Sequence, residues 1–288
     1  MDRARDRDGV SRVWLGLALA CHPLPSIAVT AVATTFAAAV GRGVAGSALV
    51  AVTVLASQLS IGWENDYLDR DRDRVSQRAD KPIATGVVSA NTVAAAAAAA
   101  TLVLVVSLPF HGWQAGLVGL LAWLSAEQYN RWAKRTVVSF LPYTISFGLL
   151  PSFVLLGGGH GEWAPLWLTA AAALLGAGAH FANVLPDIAD DLATGVNGLP
   201  QRLGRLRSAA VSVAALATAS ALLILGPSQA WLPAAVIAAA SVTAGTIGVM
   251  VGMRQARVGR RSSAPFLAAI GIAIVDVALF LVSGSSVT

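Results

Sequence analysis

Apolar stretches long enough to cross a bilayer recur along almost the whole chain, and this pattern limits the fold more than any other feature. An α-helix needs roughly 20 predominantly apolar residues to traverse the hydrocarbon. Windows of that kind fall at about 13–36, 44–63, 87–108, 113–132, 139–157, 164–185, 208–226, 230–252 and 264–283. Of the 288 residues, 56% are hydrophobic and 12% charged, with a mean hydropathy of +0.68; an ordinary soluble domain has about 25% charged residues. The runs are continuous and rich in Ala, Leu and Val, without the alternation of a membrane β-barrel. The sequence therefore predicts an all-α integral membrane bundle of about nine transmembrane helices. Residues 1–12 read as a cytoplasmic N-terminal tail and 13–288 as a single transmembrane domain. Basic residues precede the first apolar run, but no convincing cleavage site follows it, so a retained first helix is expected. The lone Cys21 excludes an internal disulfide and argues against a thiolate metal site.

Charge sorts with the predicted spans. Of the 20 basic residues, all but Arg42 fall before span 1 or after spans 2, 4, 6 and 8, which is one side of the membrane. The positive-inside rule makes that side cytoplasmic, with the N-terminus inside. The net charge of +5 is thus a topology signal with some attraction to anionic lipid headgroups, and no nucleic-acid partner is expected. The outer connections, near His111, Gly157 and Gly226, are short and nearly neutral, so a multi-pass cell-membrane protein with its chemistry near the cytoplasmic face is expected.

Two acidic constellations lie on that side. NDYLDRDRD after span 2 contains Asn65, Asp66, Asp69 and Asp73. If the helix continues through them, the three aspartates fall at i, i+3 and i+7 and share a face. Such repulsion is relieved by a cation, and hard oxygen ligands suit Mg²⁺ sharing its shell with substrate phosphates. Asp71 falls off that face, and Arg70 and Arg72 read as solvated or topological. The second constellation, HFANVLPDIADDL, carries His180, Asn183, Asp187 and Asp191 at helical spacing, with Asp190 off the stripe. Pro186 predicts a kink or restart just before Asp187. Either run alone reads equally well as a solvated juxtamembrane loop. Together, with Arg74, Arg78 and Lys81 following the first, they outline a cage for a diphosphate and its metal ions.

After span 4, Glu127, Tyr129 and Lys134 offer polar groups near the same face. Glu127 reads as a hydrogen-bonding or acceptor-orienting group; Arg131, Trp132 and Arg135 read as an interfacial belt, and Lys134 fits either role. Asp276 lies mid-span in helix 9. Intramembrane acids are costly, and it either faces a cavity to orient an acceptor or cation, or sits protonated between helices.

These residues resemble the UbiA superfamily of intramembrane prenyltransferases. The similarity lies in the NDxxDxxxD pattern of Asn65, Asp66, Asp69 and Asp73, the DxxxD pair Asp187 and Asp191, the DKPIATGVVS and GVNGLPQRLG segments, and Tyr129 with Lys134. The resemblance implies a helical bundle around a central cavity and catalytic, Mg²⁺-binding roles for Asp66, Asp69, Asp187 and Asp191, with Asp73 a further metal ligand. Asn65, Arg74, Arg78, Lys81, Tyr129, Lys134, Asn183 and Asp276 are the expected substrate contacts. It further implies an isoprenyl diphosphate donor and a small aromatic or quinone-precursor acceptor. The chain departs at His22-Pro23, where many members have Arg-Pro; a core histidine is the blander reading there. A terpene cyclase on the same scaffold needs the same ionisation residues. A carrier would be expected to show polar groups at both faces, and the Asp-Gly and Ala-Arg signature of a CDP-alcohol phosphotransferase is missing.

Overall fold

The computed structural model describes residues 2–158 and 161–226, with side chains from Ser11 onward, and scattered residues between 239 and 275. The expected spans 230–252 and 264–283 lie largely outside the described residues, as does Asp276. The helices are α1 (Asp2–Ala20), α2 (Pro23–Ala39), α3 (Gly43–Val75), α4 (Ala90–Ser107), α5 (Trp113–Arg131), α6 (Leu141–Leu156), α7 (Leu166–Val184), α8 (Ile188–Ala193) and α9 (Leu199–Leu225). Short 3-10 turns follow α4 and α5. No strand occurs among the described residues, in keeping with the all-α expectation. By length and apolarity α3, α4, α7 and α9 can each cross a membrane, and α1 with α2 qualifies as one bent span.

The apolar window over 13–36, expected as a first helix, is thus divided between α1 and α2. The α1–α2 axis turns by 67° at the Cys21-His22 step. Pro23 disfavours helical backbone in the residue before it, and His22 takes φ 53. α3 continues 12 residues past the apolar window's end at 63 to reach Val75, as the shared face of the three aspartates requires. At 1.5 Å per residue a 33-residue helix is about 50 Å long, against roughly 30 Å of hydrocarbon, so its charged end stands clear of the apolar layer. The apolar window at 208–226 is likewise only part of α9, which begins at Leu199 and breaks at Gly204, where φ is 76.

Sequential helices pack as neighbours: α2 on α3, α3 on α4, α5 on α6, α6 on α7, and α7 on α9. Without a water-driven force between helices in lipid, close packing relies on small residues at the contacts. A Cβ at Gly176 would lie 2.5 Å from the Tyr143 carbonyl oxygen, and one at Gly62 would lie 2.6 Å from that of Cys21. Gly62 thus seats the α1–α2 break on α3. At the other end of the bundle Arg42 donates to the Val154 carbonyl (3.2 Å) in the last turn of α6, and its Nη2 lies 3.2 Å from His111 Nδ1. A cation there suits the negative end of the helix dipole.

The Gly62 contact predicts an inverted propensity effect. Gly→Ala inside a helix ordinarily stabilises by about 1 kcal/mol. At Gly62 the added Cβ meets backbone, so Gly62→Ala is expected to lower the thermal midpoint in detergent. A raised midpoint would contradict the packing described.

Candidate active site

The extension of α3 brings the first acidic motif into the protein instead of into solvent. Asp66, Asp69 and Asp73 are 2%, 3% and 2% exposed, all on the face that turns inward. The second motif arrives from α7. Its helix ends at Val184, the Leu185-Pro186-Asp187 turn follows, and α8 restarts at Ile188, the interruption that Pro186 predicts. Asp187 and Asp191 then line the same cavity as Asp69.

Four cations hold the acids in place. Lys81 Nζ lies 2.6 Å from Asp66 Oδ1 and 3.2 Å from His22 Nε2. Lys134 Nζ lies 2.5 Å from Asp69 Oδ1; burial pulls its ammonium below the usual lysine range, and Asp69 offsets part of that. Arg72 reaches Asp69 at 2.9 Å, Asp73 at 3.9 Å and, from its other terminal nitrogen, Asp191 at 3.7 Å. It joins the two motifs directly. Arg78 forms a two-point pair with Asp80 (2.8 and 2.7 Å) and touches Asp187 at 3.4 Å. That pairing raises Arg78 and holds the Asp80 carboxyl down at about 2, so the geometry is kept at neutral pH. Asp191 moves the other way: burial pushes its carboxyl up to about 6, partly countered by the Gln201 amide at 2.8 Å.

The loops that carry these cations are anchored by apolar contacts. Ile83 and Val88, on the stretch after Lys81, are buried with Ala20 and Val93. Gly198 lies against the Lys134 carbonyl, where a Cβ would be 2.6 Å away, and the Leu199 amide donates to Ser139 Oγ at 3.1 Å. Asn65 donates to Asp69 (3.3 Å) and to Asn130 (3.1 Å), which itself holds the Ile61 carbonyl.

Below this charged mouth is a cavity of about 960 Å³. Asn65, Asp69, Arg78, Lys81, Tyr129, Lys134, Asn183, Asp187 and Asp191 line it, as do Tyr143 and Phe147. Tyr129 meets Tyr143 edge-on, with ring centroids 5.1 Å apart.

Other expected residues fall elsewhere. Arg74 does not line the cavity; it is 54% exposed and pairs with Asp71 at 3.4 Å, because it lies on the outward side of α3. Glu127 is buried against Arg131 (3.6 Å) instead of facing the cavity, and Arg131 reaches Glu64 at 2.6 Å. His180 leaves the expected polar stripe: it is 1% exposed and packs on Ser139 and the tyrosine rings. His22 faces the cavity and Lys81. Arg72, read from sequence as solvated, is the opposite. Its position three residues after Asp69 puts it one turn along the same side, a spacing that pointed to this contact. Nothing local marks Asn130, whose partner Asn65 is remote in the chain, whereas Gln201 lies in the GVNGLPQRLG segment soon after its partner Asp191.

Could these residues hold a divalent cation? Asp66 Oδ2 is buried with no hydrogen-bond partner among the described residues, an oxygen whose burial a cation would relieve, although Asp66 and Asp73 do not themselves line the cavity. No three His, Cys, Asp or Glu side chains among the described residues converge to hold a metal by themselves. An ion bound here would therefore take few protein ligands and draw the rest of its shell from water and substrate. That fits Mg²⁺, which commonly uses one or two carboxylates plus phosphate oxygens.

The UbiA prenyltransferase family model matches residues 11–275. The chain belongs to this family. Its fold is that of solved UbiA homologues. A homologue from Aeropyrum pernix K1 in its apo form aligns with a TM-score of 0.67 and 24% identity, covering 90% of this chain and 97% of that one. A homologue from Archaeoglobus fulgidus bound to GPP and Mg²⁺ aligns at 0.69 and 18%, covering 94% and 99%. A structure described for digeranylgeranylglyceryl phosphate synthase in membranes aligns at 0.59 and 16%, covering 99% of both chains. Among curated proteins none matches at a significant level.

The two arginines of the motif predict opposite outcomes. Arg72→Gln, which leaves buried Asp69 and Asp73 short of a partner, is expected to destabilise the metal-free protein by more than about 1 kcal/mol. Arg74→Gln, which removes an exposed pair, is expected to stay within about 0.5 kcal/mol. Thermal unfolding of both variants in detergent, without divalent cations, checks the contrast.

Proposed function

We propose that this chain transfers an isoprenyl group from an allylic isoprenyl diphosphate to a small acceptor, aromatic or a quinone precursor, within the membrane. The observation that carries the reading is the joining of two aspartate motifs by Arg72 over the mouth of a largely apolar cavity. A site for a molecule with a charged head and a hydrocarbon tail has that polarity. Support also comes from family membership and from the Archaeoglobus fulgidus homologue, solved with GPP or DMAPP and Mg²⁺. In this proposal the charged mouth lies at the cytoplasmic face, with the N-terminus inside, and the tail enters from surrounding lipid.

The diphosphate is held by Arg72, Arg78, Lys81 and Lys134, with Asn65 and Asn183 beside it. One or two carboxylates per ion, drawn from Asp66, Asp69, Asp73, Asp187 and Asp191, would hold Mg²⁺, which supplies charge stabilisation to the departing diphosphate. The bond between C1 of the prenyl chain and its diphosphate oxygen breaks, and the electron pair leaves with the oxygen. The rings of Tyr129, Tyr143 and Phe147 face the resulting allylic cation and stabilise it through their quadrupoles. The apolar wall keeps water from it. The acceptor ring gives an electron pair to C1, forming the new carbon–carbon bond, and then loses a proton to solvent at the mouth.

Asp66→Ala and Asp187→Ala are each expected to lower diphosphate release by at least about 100-fold while the protein keeps its helical content by circular dichroism. Unchanged release in both would remove the main support. Incubating membranes with allylic diphosphates but no acceptor separates transfer from cyclisation: a cyclic hydrocarbon or alcohol as main product would replace the transferase reading with a terpene cyclase.

A further inference from the structure

The cavity has a readable length. On one side its wall runs from His22, the residue before α2, through Val29 and Ala33 to Phe36, and on α7 from Asn183 through Ala179 and Ala172 to Leu168. The helix is continuous from Pro23 to Phe36 on α2 and from Leu168 to Asn183 on α7. Phe36 lies 14 positions after His22 and Leu168 lies 15 before Asn183. At 1.5 Å per residue the two walls are about 21 and 22 Å long. One end of each is polar: His22 sits against Lys81, and Asn183 lies one turn before Asp187. The other end is closed by Phe36 and Leu168 with Leu223 of α9, which are 8%, 6% and 8% exposed and share one apolar cluster.

Between these ends Gln58 is the one amide in the lining among the described residues, and the serines there are occupied elsewhere. Ser26 donates to the Cys21 carbonyl at 2.8 Å and Ser146 to the Ala122 carbonyl at 2.7 Å, so both hydroxyl protons are turned away from the cavity. Ala33, Ala172 and Ala179 are among the small side chains along it. An isoprene unit adds four backbone bonds of about 1.5 Å, or roughly 5 Å when extended.

We propose that the cavity selects its donor by length, accepting a chain of about four isoprene units, C20, with Phe36 as the stop. The inference rests on the prenyl-diphosphate reading above and adds the donor class and a specificity-determining residue. A C10 chain leaves about half the groove unfilled. A C25 chain meets the Phe36 ring.

The test is kcat/KM for diphosphate release by the purified full chain with Mg²⁺, a panel of phenols and allylic diphosphates from C5 to C25. Efficiency is expected to rise to C20 and fall at least tenfold at C25, the scale on which an apolar pocket rejects added carbons. Phe36→Ala, and more mildly Phe36→Leu, should raise C25 turnover at least tenfold. Ala33→Phe, one turn nearer the mouth, should move the maximum to C15. Retained C10 turnover in each variant reports that the site still folds. A flat length profile, or a maximum that neither kind of variant moves, overturns the length assignment while leaving prenyl transfer intact. Loss of C10 turnover in both Phe36 variants would put Phe36 in the fold instead of at the stop and also overturns it. No release by the unmodified protein at any length would remove the prenyl-diphosphate reading and this inference together.

Discussion

Burying several carboxylates beside one another is the constraint around which the rest of this protein is arranged. Charges withdrawn from water are costly unless paired, and Asp66, Asp69 and Asp73 are almost fully buried. Lys81, Lys134 and Arg72 meet that demand and Arg78 reaches Asp187, the four cations coming from three places in the fold. Lys81 and Arg78 come from the loop pinned by Ile83 and Val88, Lys134 from the turn after α5, and Arg72 from α3 itself. In the proposed reaction, a metal ion that took over the carboxylates would leave these cations to contact phosphate.

Much of this was legible in the sequence, and the physical reasons differ by feature. Windows of about twenty apolar residues announce helices because a bilayer leaves the backbone few alternatives. The face shared by Asp66, Asp69 and Asp73 follows from helical periodicity once α3 continues past Gly62, and Pro186 marks the break before Asp187. The bend at His22 was harder to see, since the apolar run continues through it and only Pro23 signals the change. Arg72 and Arg74 are both basic and two residues apart. Arg72 lies three residues after inward-facing Asp69 and Arg74 three after exposed Asp71, so the choice follows from which aspartates turn inward. Asn130 orients Asn65 from a remote part of the chain, and Gln201 reaches back to Asp191 across the turn after α8, so helical periodicity identifies neither contact.

The cavity's size and polarity belong to the fold as a whole. Small residues bring α6 and α7 together at Gly176 and seat α3 on the α1–α2 break at Gly62. The alanines of α2 and α7, together with serine hydroxyls bonded to backbone carbonyls, leave an elongated apolar space. Its length is set by where Phe36, Leu168 and Leu223 converge, a property of three helices that no single stretch of sequence carries.

The central claim is that the motifs on α3 and α7–α8 form one site. A double-mutant cycle measures this most directly: binding of pyrophosphate in the presence of Mg²⁺, by calorimetry, to the unmodified chain, Asp69→Asn, Asp191→Asn and the double variant. A shared site predicts single losses that fail to add, with a coupling of at least about 1 kcal/mol. Strictly additive losses, within about 0.3–0.5 kcal/mol, would mean that the two motifs act independently and would contradict the account.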